Sequence, residues 1–165
     1  MNDLYEEILI PRKSNPVDRI IVIALYVLCA FCLVLGLFIY FPLLIAAIAL
    51  GVLSWYRSGR LHVEYEYAYT NGQIDIDAIY NAAKRKRLAS YEAEQLLCLA
   101  PAGSVALANY PRDAKVQDYT SGQENVPYYV AIYQTDKGQV RLHLELTSSA
   151  VNNMRMHHPR NVFLR

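Results

Sequence analysis

The chain has 165 residues, a formal net charge of +1 and a hydrophobic content of 54%. This length is sufficient for one compact domain with additional elements. Because the charge is nearly balanced, the composition excludes the broad basic surface of a protein that coats nucleic acid, and we expect no nucleic-acid partner.

The N-terminal segment, residues 1–16, combines apolar and charged residues. Its apolar side chains recur at helical spacing: Leu4, Tyr5, Ile8 and Leu9. This spacing predicts an amphipathic helical segment that lies on a membrane surface or against the rest of the protein. Pro11 and Pro16 end the segment.

The next segment, residues 20–56, is the most apolar part of the chain and contains no charged residue. A single helix of this length would extend roughly 55 Å, whereas the hydrocarbon core of a membrane is about 30 Å thick. Two spans with a tight connection fit better, and Gly36 and Pro42 supply break points. We therefore predict a transmembrane hairpin with helices at residues 17–39 and 42–56.

The charges that flank the hairpin predict its orientation. Five cations lie outside the apolar segment: Arg12, Lys13, Arg19, Arg57 and Arg60. The connecting turn carries none, so the positive-inside rule places both ends in the cytoplasm. We expect a multi-pass protein of the cell membrane with cytoplasmic N- and C-termini. A cleaved signal peptide would have a shorter apolar region, and a single kinked or re-entrant helix would change the sidedness.

The three cysteines predict no disulfide framework, which agrees with a cytoplasmic domain. Cys29 and Cys32 have the C-x-x-C spacing of some redox and zinc sites, but they lie inside the apolar segment without a further ligand. We interpret them as small residues that face lipid or another helix. Cys98 lies in an apolar run and is predicted to be a core residue.

From Leu61 onwards the sequence alternates with a period of two residues, which is typical of strands. The run HVEYEYAYTNGQIDIDAIY contains an Asn-Gly pair at positions 71–72, a strong sign of a β-hairpin. The resulting register places Tyr69 opposite Ile74 and Tyr67 opposite Ile76 on one apolar face. The other face is acidic and carries Glu64, Glu66, Asp75 and Asp77.

Four consecutive cations follow this hairpin: Lys84, Arg85, Lys86 and Arg87. Like charges on facing strands are destabilising, so a third strand at residues 84–91 would bring two of these cations to the acidic face. The other two would point toward solvent, the edge of the core or a membrane. The run is therefore either a neutralising partner of the acidic face or, together with Arg57 and Arg60, a patch that binds a membrane surface or a partner.

The remaining chain predicts further short strands and one helix. The apolar runs AEQLLCLAP and SVALANY and a short strand near residues 116–119 precede a second hairpin, whose turn is at residues 136–138. The last strand places Val140, Leu142, Leu144 and Leu146 toward the core and Arg141, His143 and Glu145 outward. The final segment predicts a helix that is capped by Ser148 or Ser149 and ends at Pro159.

These elements predict an α+β fold, in which a transmembrane α-helical hairpin (residues 17–57) precedes a small antiparallel β-barrel or bent sheet with one C-terminal helix (residues 61–165). Several stretches resemble an uncharacterised family of small bacterial membrane proteins that have a two-helix transmembrane hairpin and a pleckstrin-homology-like (PH-like) cytoplasmic domain. They are EYEYAYTNGQIDIDAIYNAAKRKRL, the downstream PAGS and the terminal MRMHHPRNVF. The resemblance implies this fold and a membrane location, and it implies no activity, substrate or catalytic residue.

No constellation of residues in the sequence predicts catalysis, and we expect that the protein is not an enzyme. Asp75 and Asp77 have the spacing of a metal-binding pair, but strand alternation explains it and no third ligand is evident. His157 and His158 are placed to complement the C-terminal end of a helix. No catalytic motif or phosphate-binding glycine loop is found in the sequence, so we expect neither a metal nor a cofactor.

Two function hypotheses follow from these features. In the first, the protein is an interaction or assembly subunit at the inner face of the membrane. Its hairpin would pack with other helices through small residues, and its β-domain would bind a protein partner or a second copy of the chain. These small residues are Ala46, Ala47, Ala49 and Gly51. In the second, the run of cations at residues 84–87 binds anionic lipids with the help of Arg57 and Arg60. We place the first hypothesis narrowly ahead, and the hairpin contacts membrane lipids in both.

Overall fold

The structure is a computed structural model that describes residues 5–70, 72–111 and 113–164. Among these residues the chain forms eight strands and three α-helices. The strands are β1 (Tyr5–Pro11), β2 (Val63–Thr70), β3 (Gln73–Tyr80), β4 (Lys84–Tyr91), β5 (Leu96–Pro101), β6 (Lys115–Asp118), β7 (Tyr129–Thr135) and β8 (Gly138–Leu144). The helices are α1 (Pro16–Phe38), α2 (Leu43–Ser58) and α3 (Ser148–His157).

The described chain divides into two compact units. The helical unit comprises residues 13–63 and 80–84, and the β-unit comprises residues 5–12, 64–79 and 85–164. Strand β1 is therefore part of the β-unit although it precedes α1 and α2. The two helices are inserted between the first two strands of one sheet.

The predicted helical hairpin is present, and its helix ends lie within two residues of the predicted ones. Small residues allow α1 and α2 to pack closely. A Cβ atom on Gly36 would lie 2.8 Å from a side-chain carbon of Leu44 and 2.9 Å from its backbone nitrogen, so the approach requires glycine. The Cys29 thiol donates a hydrogen bond to the carbonyl of Ala47 (3.2 Å), which agrees with the interpretation that this cysteine faces a helix.

The two helices differ in their capacity to cross a membrane. α1 has 23 residues and is long and apolar enough to span one. α2 is apolar but has only 16 residues, which is shorter than a usual span. Many large apolar side chains of both helices are exposed, among them Phe38, Ile45 and Trp55. That both helices cross the membrane stays a prediction.

The first sheet has the strand order β1-β2-β3-β4. The prediction of a helical N-terminal segment is wrong for Tyr5–Pro11, because these residues form an antiparallel strand in which Ile8 pairs with Tyr67 and Ile10 pairs with Tyr65. The physical reason is that pairing with β2 satisfies the backbone and covers the apolar face with Ile8 and Ile10, which outweighs a short helical pattern. Leu4, the first apolar residue of the predicted helical segment, lies outside the described residues.

The hairpin β2–β3 agrees with the sequence pattern. β2 ends at Thr70 and β3 begins at Gln73, with Gly72 at a positive φ of 93°. The predicted turn residue Asn71 lies outside the described residues. The alternate side chains of both strands are buried in the core: Tyr65, Tyr67, Tyr69, Ile74 and Ile76.

The second sheet has the strand order β5-β7-β8-β6 and departs from prediction in two places. β6 pairs with β8 in parallel, so the expectation of a purely antiparallel sheet is wrong. The chain reverses direction twice between β6 and β8, in the loop at residues 119–128 and in the β7–β8 turn, so the two strands run in the same direction. The run SVALANY is also not a strand: Val105–Asn109 is a 3₁₀ helix capped by Ser104, whose hydroxyl accepts a hydrogen bond from an amide of its first turn.

Helix α3 and the chain after it complete the β-unit. Thr147 caps α3 by accepting a hydrogen bond from the Ala150 N–H (3.1 Å), one residue before the predicted cap. The helix buries Ala150, Val151 and Met154. The C-terminal segment then lies along β5, where the Leu99 N–H donates to the carbonyl of Asn161 (2.7 Å). The described fold is α+β, with a C-terminal helix after the strands.

Candidate interaction surfaces

The outer face of the first sheet carries three carboxylates that are largely shielded from solvent. We call Glu66, Asp75 and Asp77 the acidic ladder. Their side chains are 5%, 24% and 11% exposed, respectively. Carboxylates in such positions require opposite charge or hydrogen bonds, because burying an uncompensated charge is costly.

Arginines of β4 supply this charge. Arg85 forms an ion pair with Glu66, and its Nε lies 3.7 Å from one oxygen of Asp77. Arg87 lies 3.1 Å from an oxygen of Asp75 and 3.5 Å from the other oxygen of Asp77. Alternate residues of a strand share a face, so both arginines reach the ladder together. The prediction that two of the four consecutive cations meet the acidic face is confirmed.

The surroundings of the two lysines of the run differ from those of the two arginines. Lys84 and Lys86 are exposed and form no ion pair with the part of the chain that the structure describes. Lys84 falls in the helical unit and Lys86 in the β-unit. The turn before Lys84 is fixed by Asn81, which has a φ of 51° and donates its N–H to the carbonyl of His62 (2.9 Å). All four side chains of the run are exposed, but its arginines are paired with carboxylates whereas its lysines are not.

The electrostatics of Glu66 depend on Arg85. Burial raises the pKa of Glu66 above its ordinary value, while the charge of Arg85 opposes this rise. Glu7 raises this pKa further, and the register explains why: Glu7 pairs with Ala68, which lies two residues from Glu66 on the same face of β2. Arg85 is thus the group that favours the ionised form of Glu66.

The other predicted site residues lie at the end of α2. Arg57 is in the last turn of the helix and is exposed. Arg60 donates a hydrogen bond to the hydroxyl of Tyr56, and its guanidinium carbon lies 4.6 Å from the centre of that ring. This cation–π contact orients Arg60 without neutralising its charge. A role for these two arginines in binding lipid or a partner stays a prediction.

The sequence did not predict that polar side chains of β8 are partly buried in the second sheet. Arg141, predicted only to face outward, is half-buried, and its Nε makes no hydrogen bond with the described residues. Gln139, two residues earlier on β8, has a buried side-chain oxygen that likewise has no partner among them. The signal was a single cation in the apolar run QVRLHLEL, but alternation by itself assigns such a residue to solvent.

The structure gives the cysteines and histidines no shared site. Cys29, Cys32 and Cys98 are free thiols. Burial raises the pKa of Cys98, and the charge of Arg141 partly opposes this. His157 lies in the last turn of α3, at the C-terminal end of the helix where the sequence predicts it. Within residues 5–70, 72–111 and 113–164, no group of three His, Cys, Asp or Glu side chains could hold a metal ion.

Comparison with protein families extends this description. A family model described as a bacterial PH-like domain (DUF6106) matches residues 2–164. Neither the curated proteins nor the solved structures gave a significant match. Because the match extends over nearly the whole chain, the protein belongs to this bacterial PH-like family.

Proposed function

We propose that the protein is a non-catalytic, membrane-anchored module that presents its β-unit at the cytoplasmic face of the membrane as an interaction or assembly subunit. Helix α1 supports the anchoring, because it is long and apolar enough to cross a bilayer. In this proposal α2 returns the chain to the same side, since cations precede α1 and follow α2. Both termini are then cytoplasmic.

The pairing of Arg85 and Arg87 with the acidic ladder is the observation that favours a protein partner over lipid. A Lys or Arg near an anionic membrane contributes about 1 kcal/mol to binding if its charge is free to act. Both guanidinium groups already lie within 3.7 Å of carboxylates of the same sheet. Releasing them to lipid would leave the carboxylates of the ladder unpaired, which is unfavourable at the exposures observed.

The helical unit offers a surface for assembly as well. Ala47 is buried, and Gly51 approaches the thiol of Cys29, so these two small residues serve the packing of α1 against α2. Ala46 and Ala49 are instead exposed on α2. Small side chains on a membrane helix allow a second helix to approach closely, so these two residues are where we place a helix of a partner or of a second copy.

A second candidate function is contact with anionic lipid headgroups. The observation that favours it is that Lys84 lies in the helical unit, as do Arg57 and Arg60. This candidate uses Lys84 and Lys86, whose charges no described carboxylate neutralises, and it predicts binding that weakens as salt screens the charges.

Lysine footprinting of the full chain in nanodiscs tests the proposed function against this second candidate. The protein is placed in neutral or anionic nanodiscs and acetylated at low and high salt, and mass spectrometry measures the rates at Lys84 and Lys86. Lys137, exposed in the β7–β8 turn, is the internal control. The proposed function predicts equal rates in both lipids after correction for Lys137. Protection by anionic lipid that high salt abolishes would overturn it in favour of lipid binding.

A further inference from the structure

Strand β4 is an outermost strand of the first sheet, with one strand neighbour, β3, among the described residues. We call the side of β4 that faces away from β3 the β4 edge. Residues 85–91 of this strand belong to the β-unit, and the side chains of residues 85–88 are exposed. An outermost strand carries a row of backbone N–H and C=O groups that a further strand can bond.

The other outermost strands are shorter than β4 or are covered by the chain itself. The C-terminal segment lies along β5, where the Phe163 N–H donates to the Leu99 carbonyl (2.8 Å). On β1, Glu6 accepts a hydrogen bond from Asn153 of α3 (3.0 Å). β6 has only four residues. β4 has eight, and apart from its ladder with β3 no hydrogen bond from another backbone segment of the described chain reaches it.

Side-chain contacts fix β4 in place without a partner. Arg85 pairs with the acidic ladder, and the hydroxyl of Ser90 donates a hydrogen bond to Asp75 (2.6 Å). At the end of the strand the ring of Tyr91 stacks on that of Tyr133, with 4.7 Å between the ring centres. A strand that is already ordered loses little conformational entropy when another strand binds to it.

The charge of β4 limits which strands can pair with it. The strand contains four cations and no carboxylate. Lys86 is exposed and forms no ion pair with the described chain, and Leu88, two residues later, is 37% exposed. A second copy of β4 would place cations opposite cations, which is destabilising, and lysines on outermost strands are a common protection against such pairing. The same charges favour a strand that places carboxylates opposite them.

We infer that residues 85–91 bind a protein partner that adds an extended segment with alternating acidic and apolar residues to the β4 edge. The backbone of the partner bonds to the N–H and C=O groups that point away from β3, and one of its carboxylates pairs with Lys86. An apolar side chain of the partner packs on Leu88. The backbone hydrogen bonds supply the affinity and the charges select the partner. The inference rests on the proposed function, since it names the surface and the kind of partner that the interaction subunit uses.

Peptide binding to the full chain in neutral nanodiscs tests the inference. The probe is a hexapeptide of alternating Val and Glu with blocked ends. Two matched controls carry Gln or Lys instead of Glu, and a third is the Glu peptide with every backbone nitrogen methylated, which removes its N–H donors. We expect saturable binding of the Glu peptide and, by nuclear magnetic resonance, slower hydrogen exchange at alternate backbone amides of residues 85–91. All three controls should bind roughly tenfold more weakly.

Two lysine variants localise the binding without removing a buried group. Lys86→Gln should weaken binding of the Glu peptide about threefold, because it removes one exposed charge pair. Lys137→Gln, in the β7–β8 turn, is the matched control and should leave the binding unchanged.

No saturable binding, equal binding of the Gln peptide or the methylated peptide, or unchanged exchange in β4 would each overturn the inference. Slower exchange at these amides without peptide would also overturn it, in favour of a membrane surface if anionic lipid causes the change and of a second copy if higher protein concentration does. Because the titration contains only neutral lipid, it can fail while the footprinting of Lys84 and Lys86 upholds the proposed function, and the reverse.

Discussion

Replacing Arg85 by methionine removes the cation that faces the most deeply buried carboxylate of the acidic ladder. Removing one partner of a fully buried ion pair costs about 3–5 kcal/mol. An exposed pair contributes only about 0–1 kcal/mol. The side chain of Glu66 is 5% exposed but that of Arg85 is 56% exposed, so this pair lies between the two limits. We expect Arg85→Met to reduce the free energy of unfolding by about 2 kcal/mol.

Thermal unfolding of the full chain in a neutral detergent, followed by near-ultraviolet circular dichroism of the buried tyrosines, measures this effect. A loss of about 2 kcal/mol corresponds to a decrease in Tm of roughly 8 °C for a unit of this size. Lys86→Met, on the same strand, is the matched control, and we expect a change of less than about 0.5 kcal/mol. Adding Glu66→Gln to Arg85→Met removes the unpaired charge and should recover most of the lost Tm. Equal Tm values for Arg85→Met and Lys86→Met would refute the reasoning.

Three further predictions concern the helices, the β5 edge and the tyrosine core. Gly51→Cys should form a disulfide with Cys29 on mild oxidation, seen by intact mass, because a Cβ at position 51 lies 3.5 Å from the Cys29 sulfur; no cross-link would contradict the α1–α2 packing. Asn161→Ala removes the hydrogen bond to the Leu96 carbonyl (2.6 Å) and should cost about 1 kcal/mol, with faster hydrogen exchange along β5. Unchanged hydrogen exchange along β5 would contradict the contribution of the C-terminal segment to the stability of this strand. Burial raises the pKa of Tyr69 and Tyr119 to about 12. The folded state therefore holds these protons more tightly than the unfolded state does. The contribution of the two tyrosines to the free energy of unfolding is fully present below pH 10 and is lost as the pH rises through 12. Denaturant midpoints and tyrosinate absorbance from pH 8 to 12 measure this, and titration of every tyrosine near pH 10 in the folded protein would contradict it.

Much of the fold follows from local signals in the sequence. The uncharged segment predicts the two helices, and alternation predicts the strands that contain Tyr67, Ile76 and Leu142. The strand β4 (Lys84–Tyr91) agrees with the predicted range. It could be predicted because like charges on facing strands are destabilising, and the cations that follow the acidic hairpin directly in the sequence can neutralise it from a third strand. That two of the four cations meet the acidic face could therefore be predicted, but that these two are Arg85 and Arg87 is known only from the structure.

Other features depend on contacts between distant parts of the chain. The segment Tyr5–Pro11 has a helical spacing of apolar residues, yet it forms a strand because β2 supplies a partner more than fifty residues later in the sequence. The parallel pairing of β6 with β8 has no local signature either. Arg141 could not be identified as unpaired from sequence, since only the structure shows that its neighbours across the sheet are Ile132 and Val116.

Cysteine accessibility tests most directly whether the protein is a membrane-anchored module with a cytoplasmic β-unit. In a background with Cys29, Cys32 and Cys98 replaced by alanine, single cysteines are introduced as Tyr40→Cys in the helix connection and Lys137→Cys in the β7–β8 turn. Intact cells are treated with a membrane-impermeant maleimide, and a second sample is permeabilised first. The account predicts that only Tyr40→Cys reacts in intact cells and that Lys137→Cys reacts after permeabilisation. Reaction of Lys137→Cys in intact cells would contradict it, because the β-unit would then lie outside.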